Sequence, residues 1–318
     1  MKKSTLIHNP GAGAEKYNKE QLISIIESVG YECRYSSTKK KGWKSIDPKT
    51  DFIVIAGGDG TVRKVVKNLL RKKILEKRLP LALVPIGTAN NISKTLGISG
   101  ETETLAKTWN EKNIIKFDVG LIEGLTEPNF FLEGFGYGIF PLLMEKMKKK
   151  EEKSFLGLEE EIKYSLEVVH DIILSYEAKD LQLEVDGVDH SGKYVLAEIM
   201  NIRSIGPNLQ LAPDANPTDG EFELVLVPES QRKEFADYVK NKLNGIENPF
   251  AFNSIKAKSI RMHCDGTHLH IDDELMSIDD GLEINIAVLD GLLKFFVPGI
   301  DQFEQGVSLN GPRLHPIN

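Results

Sequence analysis

A short stretch near the start of the chain, FIVIAGGDGT, combines residue types that could bind a phosphate group. Its apolar half, Phe52 to Ala56, has the composition of a buried strand, and a helical pattern of apolar residues follows the glycines. Such a glycine turn lets phosphate approach bare backbone where the first N–H groups of a helix are free. Asp59 stands out, because a carboxylate repels phosphate unless it holds a metal, orients a donor or takes up a proton.

The spacing of the glycines excludes two common phosphate-binding motifs. Gly57-Gly58-Asp59-Gly60-Thr61 matches neither the G-x-x-x-x-G-K-[ST] loop nor the G-x-G-x-x-G fingerprint. A tight strand-to-helix connection without a ligand is the simpler alternative. The position of the turn directly after a buried strand favours phosphate binding over that alternative.

Length, net charge, cysteine spacing and apolar content limit the classes of protein to which the chain could belong. With 318 residues, the chain has the length of two domains or one large one, and its net charge of −7 argues against a nucleic-acid binder. Cys33 and Cys264 lack metal-ligand spacing and are expected to be reduced thiols of a cytoplasmic protein, with one disulfide between them as the alternative. No apolar stretch approaches the ~20 residues that span a bilayer, so membrane contact would be peripheral.

Alternating strand and helix patterns predict an α/β domain over residues 1–119. Strands are expected at 5–7, 31–36, 52–56 and 81–84, with a helix over 15–29. This alternation predicts a mainly parallel sheet with helices on both faces. Ligands of such sheets lie beyond the carboxyl ends of the strands, where three polar, glycine-bearing loops are expected to meet. These loops are HNPGAG, GGDGT and PIGTANN.

After residue 119 the sequence pattern changes to short segments of β-strand type. They predict a β-rich sandwich domain over 120–297, followed by a tail of little periodicity over 298–318. Asp186-Gly187 and Asp290-Gly291 are predicted hairpin turns. The expected helices lie near 138–150 and 160–176, and the expected strands at 181–186, 193–200, 222–227, 258–263, 268–272, 283–289 and 292–297.

Six motifs occur in the order in which they are found in bacterial diacylglycerol kinase-type lipid kinases. The motifs are HNPGAG (8–13), GGDGT (57–61), PIGTANN (85–91), FDVG (117–120), PTDGEFEL (217–224) and IDDE (271–274). The chain therefore resembles that family. The resemblance implies an NAD kinase/phosphofructokinase-like parallel sheet and a kinase that transfers the γ-phosphate of ATP to a hydroxyl of a diacylglycerol-like or sphingoid-type lipid.

The resemblance also implies where ATP binds. In the family, GGDGT cradles the phosphates, and threonines after the second strand and in the third loop contact the nucleotide. Asp59 would in addition act in catalysis. The nucleotide-binding residues implied for this chain are Asn9, Thr38, Gly57, Gly58, Asp59, Gly60, Thr61, Val62, Arg63, Thr88 and Asn90.

A catalytic glutamate is implied by the family's D-G-E triplet. Its counterpart here is Asp272-Asp273-Glu274, so Glu274 would be the general base that accepts the proton of the attacking hydroxyl. Positioning and Mg²⁺ would supply most of the rate enhancement.

A structural Mg²⁺ site is implied in the second domain. Its ligands would be the carboxylate of Asp219 and the backbone oxygens of Asn216 and Glu221, because Mg²⁺ prefers hard oxygen donors. Without the neighbouring motifs, Asp219-Gly220 would be interpreted as a hairpin turn.

The chain departs from the family pattern at four places. Asn91 replaces the aspartate of GTAND, and Asp273 replaces the glycine of D-G-E, where it adds a charge and disfavours positive φ. Arg63 and Lys64 stand where the family prefers Asn-Glu, and Glu133 stands where it has asparagine.

Several further features have both a structural and a functional interpretation. The lysine-rich segment 146–153 is either a solvated helix end or a surface for anionic lipid headgroups. Its apolar neighbours are expected to be mostly core, and the histidines are expected to be structural or surface residues, since no metal-ligand spacing is convincing. The neighbours are Ile139, Phe140, Leu142, Leu143 and Met147, and the histidines are His263, His268 and His270.

Two other functions compete with a lipid kinase. A soluble, NAD kinase-like small-molecule kinase is disfavoured, because the Asn-Glu pair expected to hold the nicotinamide ribose is missing. A non-catalytic nucleotide- or lipid-binding homologue is disfavoured by the intact Asp59 and Glu274. The expected protein is cytoplasmic, visits the membrane surface to collect its lipid, binds no nucleic acid and could form a homodimer.

Overall fold

The computed structural model divides the chain into two compact units. One comprises residues 1–117 together with the chain from Gly291 onward, and the other comprises residues 118–290. The residues that the structure describes are 1–12, 17–70, 78–126, 129–149, 158–246, 250–264, 268–278 and 281–299.

The first unit contains a parallel sheet. Its elements are β1 (Lys2–His8), α1 (Lys19–Ser28), β2 (Tyr31–Ser37), β3 (Phe52–Gly57), α2 (Asp59–Leu70), β4 (Leu81–Pro85), α3 (Asn91–Thr95), α4 (Thr102–Thr108) and the first residues of β5 (Ile114–Glu123). The strand order is β2-β1-β3-β4, and all of these pairs are parallel. The expectation of a parallel α/β sheet is confirmed.

Both faces of this sheet are covered. Val54 and Ala56 of β3 pack with Leu22 of α1 in one apolar cluster, and Ile53 and Ile55, which point to the opposite face, are also buried. A strand that is buried on both faces must be apolar throughout, which explains the continuous FIVIA sequence.

Helix α1 begins later than its apolar pattern predicts. The sequence predicts a helix over 15–29, but residues 17 and 18 are not helical, and residues 15 and 16 lie outside the described part. The amide of Gln21 donates to the Asn18 side chain at 2.8 Å, and the Gln21 side chain accepts from the Asn18 amide at 2.9 Å. This capping box satisfies free N–H groups at the helix start and fixes it there.

In the described residues, the second unit consists of antiparallel strands and three α-helices. Strand β10 lies at its centre and pairs with β7, β8 and β13, while β16 joins β7 to β17. The elements are β6 (Asn129–Phe131), β7 (Gly134–Gly138), α5 (Ile139–Lys148), α6 (Leu158–Ser175), β8 (Lys179–Val185), β9 (Val188–Asp189), β10 (Gly192–Met200), β11 (Ser204–Ile205), β12 (Leu209–Gln210), β13 (Phe222–Pro228), α7 (Arg232–Leu243), β14 (Asn253–Ala257), β15 (Ser259–Cys264), β16 (His268–Ile271), β17 (Glu274–Ser277) and β18 (Leu282–Phe296).

One of the two predicted hairpin turns is confirmed and the other is wrong. Asp186 and Gly187 have φ of 48° and 84° and connect β8 to β9 as a two-residue turn. Asp290 and Gly291 instead lie inside the 15-residue strand β18. Gly291 has a φ of 56°, and a Cβ there would lie 2.8 Å from Cδ of Lys116, so this glycine serves a close approach within the strand.

The last residues of β18 belong to the first unit, whereas the sequence assigned all of 120–297 to the second domain. Phe295 pairs with Leu81 of β4, so β18 lies beside β4 on the side opposite to β3. The ring of Phe295 lies 5.1 Å from the ring of Phe117, and the ring of Phe296 lies 5.5 Å from that of Phe52. These apolar contacts explain why the final strand returns to the first unit.

Helices α5, α6 and α7 contribute to one apolar cluster of the second unit. Ile139, Phe140 and Leu143 of α5 are buried in it, and Leu142 and Met147 are partly buried against it. The expectation that these residues are mostly core is confirmed. No helix in the described part of the chain is long and apolar enough to span a membrane.

Candidate active site

The three glycine-bearing loops of the first unit contact one another at the carboxyl end of the sheet. The amide of Asn9 donates to the carbonyl of Ala56 at 2.9 Å, and its side chain donates to Oγ1 of Thr61 at 3.2 Å. The amide of Thr38, after β2, donates to the carbonyl of His8 at 2.9 Å. The structure therefore brings Asn9, Thr38 and the GGDGT turn together, as the sequence predicts.

The glycines of this turn are needed for close approach and not for unusual backbone angles. None of Gly57, Gly58, Gly60 and Gly87 has a positive φ, contrary to one reason that favours glycine in the sequence. A Cβ on Gly57 would lie 2.5 Å from the Thr61 side chain, and a Cβ on Gly58 would lie 3.0 Å from Cα of Gly87. Backbone packs directly on backbone here, which leaves no room for side chains.

Asp59 orients the third loop. Its two carboxylate oxygens accept from the amides of Asn91 at 2.9 Å and Ile92 at 3.1 Å, which are the first residues of α3. A carboxylate at this position accepts hydrogen bonds from N–H groups that have no partner within the helix. The positive end of the helix dipole also stabilises its negative charge. Among the roles that the sequence allows for this carboxylate, the structure shows that of an orienting group.

Asn90 closes the same loop. It has a left-handed φ of 52°, and its side-chain amide accepts from the Gly87 amide at 3.0 Å and donates to the Gly87 carbonyl at 2.7 Å. Thr88 lies in this closed loop and is exposed. Val62 and Arg63, by contrast, are only 3% and 2% exposed, so neither side chain is presented at the surface.

A cationic side chain lies over the first loop. Nζ of Lys39 would lie 3.3 Å from a Cβ built on Gly11. Lys39, Lys40 and Lys41 follow Thr38, and their charges are compatible either with a solvated loop or with attraction of a nucleotide. The position of Lys39 beside the glycine loop favours an electrostatic role for this residue.

In the second unit, the candidate base follows a two-residue turn. Strands β16 and β17 pair Ile271 with Glu274, which leaves Asp272 and Asp273 as the turn. Only Asp272 has a positive φ, at 51°, so the loss of glycine at position 273 creates no backbone strain there. Glu274 is half-buried and Asp273 is exposed.

Asp272 is a buried residue that anchors this turn. Its carboxylate accepts from the amides of Leu132 at 3.0 Å, Glu133 at 2.8 Å and Gly134 at 3.2 Å. Its own amide donates to the Gly134 carbonyl at 2.8 Å. The turn before Glu274 is therefore fixed to the segment that begins β7.

Glu198 is the residue of this region that sequence reasoning missed. It is fully buried on β10 and lies 2.9 Å from Nε2 of His270, which is also buried. The expectation that His270 is structural is confirmed. The signal for Glu198 was available, since a single carboxylate interrupts the apolar run VLAEIM (195–200).

The predicted metal ligands lie in one turn, but a lysine is already bound there. Nζ of Lys256 lies 3.0 Å from Oδ2 of Asp219 and 3.2 Å from Oε2 of Glu221. Oδ1 of Asp219 accepts from the Glu221 amide at 3.1 Å, and the Asn216 carbonyl accepts from the Asp219 amide at 3.4 Å. The hydrogen bond to Asp219 raises the pKa of Lys256.

These contacts do not fit a Mg²⁺ ion as they stand, because a cation would first have to displace the ammonium group of Lys256. No cluster of three or more His, Cys, Asp or Glu side chains with metal-binding geometry occurs among the described residues. The structural metal site stays a prediction.

The FDVG motif (117–120) forms hydrogen bonds with the turn that contains Asp219 and Gly220. Asp118 is fully buried, and its Oδ2 accepts from the amide of Gly220 at 2.8 Å. The amide of Asp118 donates to the Pro217 carbonyl at 2.8 Å. Gly220 has a φ of 74° and leads into β13, so this Asp-Gly pair is not the hairpin turn of the alternative interpretation.

Comparisons with known proteins agree with this arrangement. Residues 3–122 match the model of the diacylglycerol kinase catalytic domain, and residues 147–284 match that of the YegS C-terminal NAD kinase beta sandwich-like domain. A diacylglycerol kinase of Bacillus subtilis is 28% identical over 254 residues, which are 77% of this chain and 80% of that protein. One of Staphylococcus aureus is 27% identical over 241 residues, 73% of each chain.

Solved structures show the same fold. The crystal structure of a diacylglycerol kinase from Bacillus anthracis has a TM-score of 0.70 at 24% identity and covers 93% of this chain and 97% of its own. The α/β domain with a parallel sheet and the second, β-sandwich domain are therefore both confirmed. The two matched domain models and the curated relatives are of the diacylglycerol kinase type, and they indicate that the chain is an ATP-dependent kinase that acts on an alcohol group.

Proposed function

We propose that the chain transfers the γ-phosphate of ATP to a hydroxyl of a diacylglycerol-like lipid at a membrane surface. The observation that carries this proposal is the mutual contact of the three loops around GGDGT. Glycine backbone at the carboxyl end of a parallel sheet, where a helix begins, suits the phosphates of a nucleotide. The names of the relatives support a diacylglycerol-like substrate, and a sphingoid-type lipid is the other member of the same substrate class.

The nucleotide would be held by the first unit. Gly57 to Thr61 offer backbone to the phosphates, while Asn9, Thr38, Thr88 and Asn90 line the loops around them. Lys39 would contribute a positive charge near the glycine loop. Val62 and Arg63 would contribute through their backbone only, since their side chains are buried.

Asp59 and Glu274 would have different roles. Asp59 would position the loop that carries Thr88, through the amides of Asn91 and Ile92. Glu274 would accept the proton of the lipid hydroxyl while its oxygen forms a bond to the γ-phosphorus and the bond to ADP breaks. Mg²⁺ bound with ATP would neutralise charge on the phosphates.

Contact with the membrane would be peripheral and transient. Lys146, Lys148 and Lys149 are exposed at the end of α5, and each basic residue near an anionic surface is worth about 1 kcal/mol. Lys149 also pairs with Glu145 at 2.7 Å, which reduces its contribution. Residues 150–153 of the lysine-rich segment lie outside the described part. The cytoplasmic location and a homodimer stay predictions.

A radiolabel-transfer assay tests the proposal. The purified protein, γ-labelled ATP and Mg²⁺ are incubated with dioleoylglycerol or sphingosine in mixed micelles, and the organic and aqueous phases are separated. Label in the organic phase with dioleoylglycerol is the expected result. Label only in water-soluble products, after addition of a soluble metabolite extract, would overturn the proposal in favour of a small-molecule kinase.

A further inference from the structure

A buried carboxylate and imidazole lie directly behind the turn that carries the candidate base. The strand pairing places Gly136 of β7 opposite Glu198 of β10 on one side and His270 of β16 on the other. A Cβ on Gly136 would collide with both side chains, and a Cβ on Gly134 would lie 2.8 Å from Oε1 of Glu198. The alternating glycines of GFGYG therefore make room for this pair.

The hydrogen bonds of His270 fix its tautomer. Nδ1 lies 3.1 Å from the carbonyl oxygen of Asp272, which can only accept, so Nδ1 carries a proton and donates. Nε2 lies 2.9 Å from Oε2 of Glu198, and this contact requires one proton between the two atoms. Whichever atom holds that proton, the pair has no net charge, which suits its burial at 0% and 1% exposure.

The pair acts on a residue whose other polar groups are already bound. The amide and the carboxylate of Asp272 are held by the segment 132–134, and its φ of 51° is unusual for an aspartate. The Nδ1–H group of His270 donates a hydrogen bond to the carbonyl oxygen of Asp272. That carbonyl belongs to the turn two residues before Glu274, so its direction sets the path of the chain into Glu274.

We propose that Glu198 and His270 are positioning residues of the kinase, which hold the carbonyl of Asp272 and thereby fix the direction of Glu274. Glu198 keeps the imidazole in place, and the Nδ1–H group of His270 holds the turn. The inference rests on the proposed role of Glu274 as general base. Neither residue touches a reacting atom. A displacement of about 1 Å of a positioned group can cost about a hundredfold in rate.

Two substitutions separate this role from a general loss of structure. In His270→Asn, the side-chain amide can replace the Nδ1 donor, and in His270→Gln it can replace Nε2 but not Nδ1. Both are made together with Glu198→Gln, so that neither variant leaves a buried carboxylate without its partner. The expected result is a kcat at least tenfold lower in Glu198→Gln/His270→Gln than in Glu198→Gln/His270→Asn, with similar melting temperatures and similar KM for ATP. Equal kcat values in the two variants would overturn the proposal.

A double-mutant cycle with Glu274→Gln separates this proposal from the proposed function. If the histidine acts through Glu274, the Glu198→Gln/His270→Gln change should not lower the residual kcat of Glu274→Gln any further. A further tenfold loss in that background would overturn the positioning role and leave Glu274 as the base. Wild-type activity of Glu274→Gln alone would instead refute the general base, and with it the proposed role of this site.

Discussion

At the scale of single residues, Asp59 has a contact that makes a sharp prediction. Asp59→Ala removes the acceptor for the amides of Asn91 and Ile92, so the third loop loses its anchor. We expect phosphoryl transfer to be abolished and the free energy of unfolding to fall by about 1 kcal/mol, as for a lost helix cap. Label transfer and urea unfolding measure the two effects.

Lys64→Ala is the matched control for Asp59, because Lys64 is exposed on the same helix α2. It should retain its unfolding free energy within about 0.5 kcal/mol. Normal turnover by Asp59→Ala would show that the site is not where we place it.

The buried Glu198–His270 pair predicts a pH dependence of stability. Burial raises the pKa of Glu198. Burial by itself would lower the pKa of His270, but Glu198 and Asp272 together outweigh it, so the pKa of His270 is raised as well. Above pH 6.5, the ordinary pKa of histidine, the unfolded chain has a neutral histidine and an ionised glutamate. In the folded protein the same two side chains still hold one proton more, which they share. Stability should therefore fall by about 1.4 kcal/mol per pH unit above that value, until the folded pair itself titrates.

Glu198→Gln is the control for this slope, because a neutral amide removes the shared proton. Asp272 is the other carboxylate near the pair, and the substitution leaves unchanged the residues 132–134 whose backbone amides it accepts from. Urea unfolding between pH 6.5 and 8.5 should give a flatter dependence for the variant. The same slope in both proteins would contradict a proton held by the pair.

At the scale of elements, close packing between two loops makes Gly58 sensitive to any side chain. In Gly58→Ala the new methyl group would lie 3.0 Å from Cα of Gly87, and backbone cannot move aside as a flexible side chain can. We expect a loss of about 1–3 kcal/mol in unfolding free energy and weaker ATP binding. Urea unfolding and a calorimetric ATP titration measure these effects.

Gly11→Ala is the matched control, because its nearest neighbour is the mobile end of Lys39 at 3.3 Å. Its loss of stability should be clearly smaller than that of Gly58→Ala. Equal losses in the two variants would contradict the requirement for backbone contact between the GGDGT and PIGTANN loops.

The turn before β13 makes a prediction about Mg²⁺. Lys256 pairs with both Asp219 and Glu221, so it competes with any cation at this turn. Lys256→Met should therefore show a larger rise in melting temperature with added MgCl₂ than the wild-type chain does, since binding to the folded state stabilises it by mass action.

Lys258→Met controls for a general loss of positive charge, because Lys258 lies 3.7 Å from Glu221 and is not paired with Asp219. It should respond to MgCl₂ as the wild-type chain does. If Lys256→Met gains no response to MgCl₂, the predicted metal site at Asp219 is wrong.

At the scale of the whole molecule, the periodicity of the sequence predicts the α/β unit well and the second unit less well. The strands of the first unit are short apolar runs that end in glycine loops, and each is found close to its predicted position. The sequence pattern did not predict helix α7 or strands β6, β7, β11, β12, β14 and β17. GFGYG has too little apolar content to be recognised as a strand, because its glycines serve the side chains of neighbouring strands.

The predicted hairpin turn at Asp290-Gly291 was wrong for a related reason. An Asp-Gly pair is a strong local signal for a turn, but here the glycine relieves a contact with Lys116 inside a continuous strand. The positions of the site residues followed from motifs and strand ends. The partners of these residues could not be predicted. Glu198, Lys256 and Asp118 contact the site residues only because the fold brings together residues that are distant in sequence.

The measurement that tests the central claim most directly is the initial rate of label transfer from ATP to dioleoylglycerol by the wild-type chain and by Glu274→Gln. We predict transfer by the wild type, a kcat lower by about 10²- to 10⁴-fold in Glu274→Gln, and ATP affinity largely kept. Asp273→Asn, a change of the exposed neighbouring carboxylate, serves as the control for charge and should lose far less. Equal rates for wild type and Glu274→Gln, or no transfer to lipid by the wild type while it still binds ATP, would contradict the account.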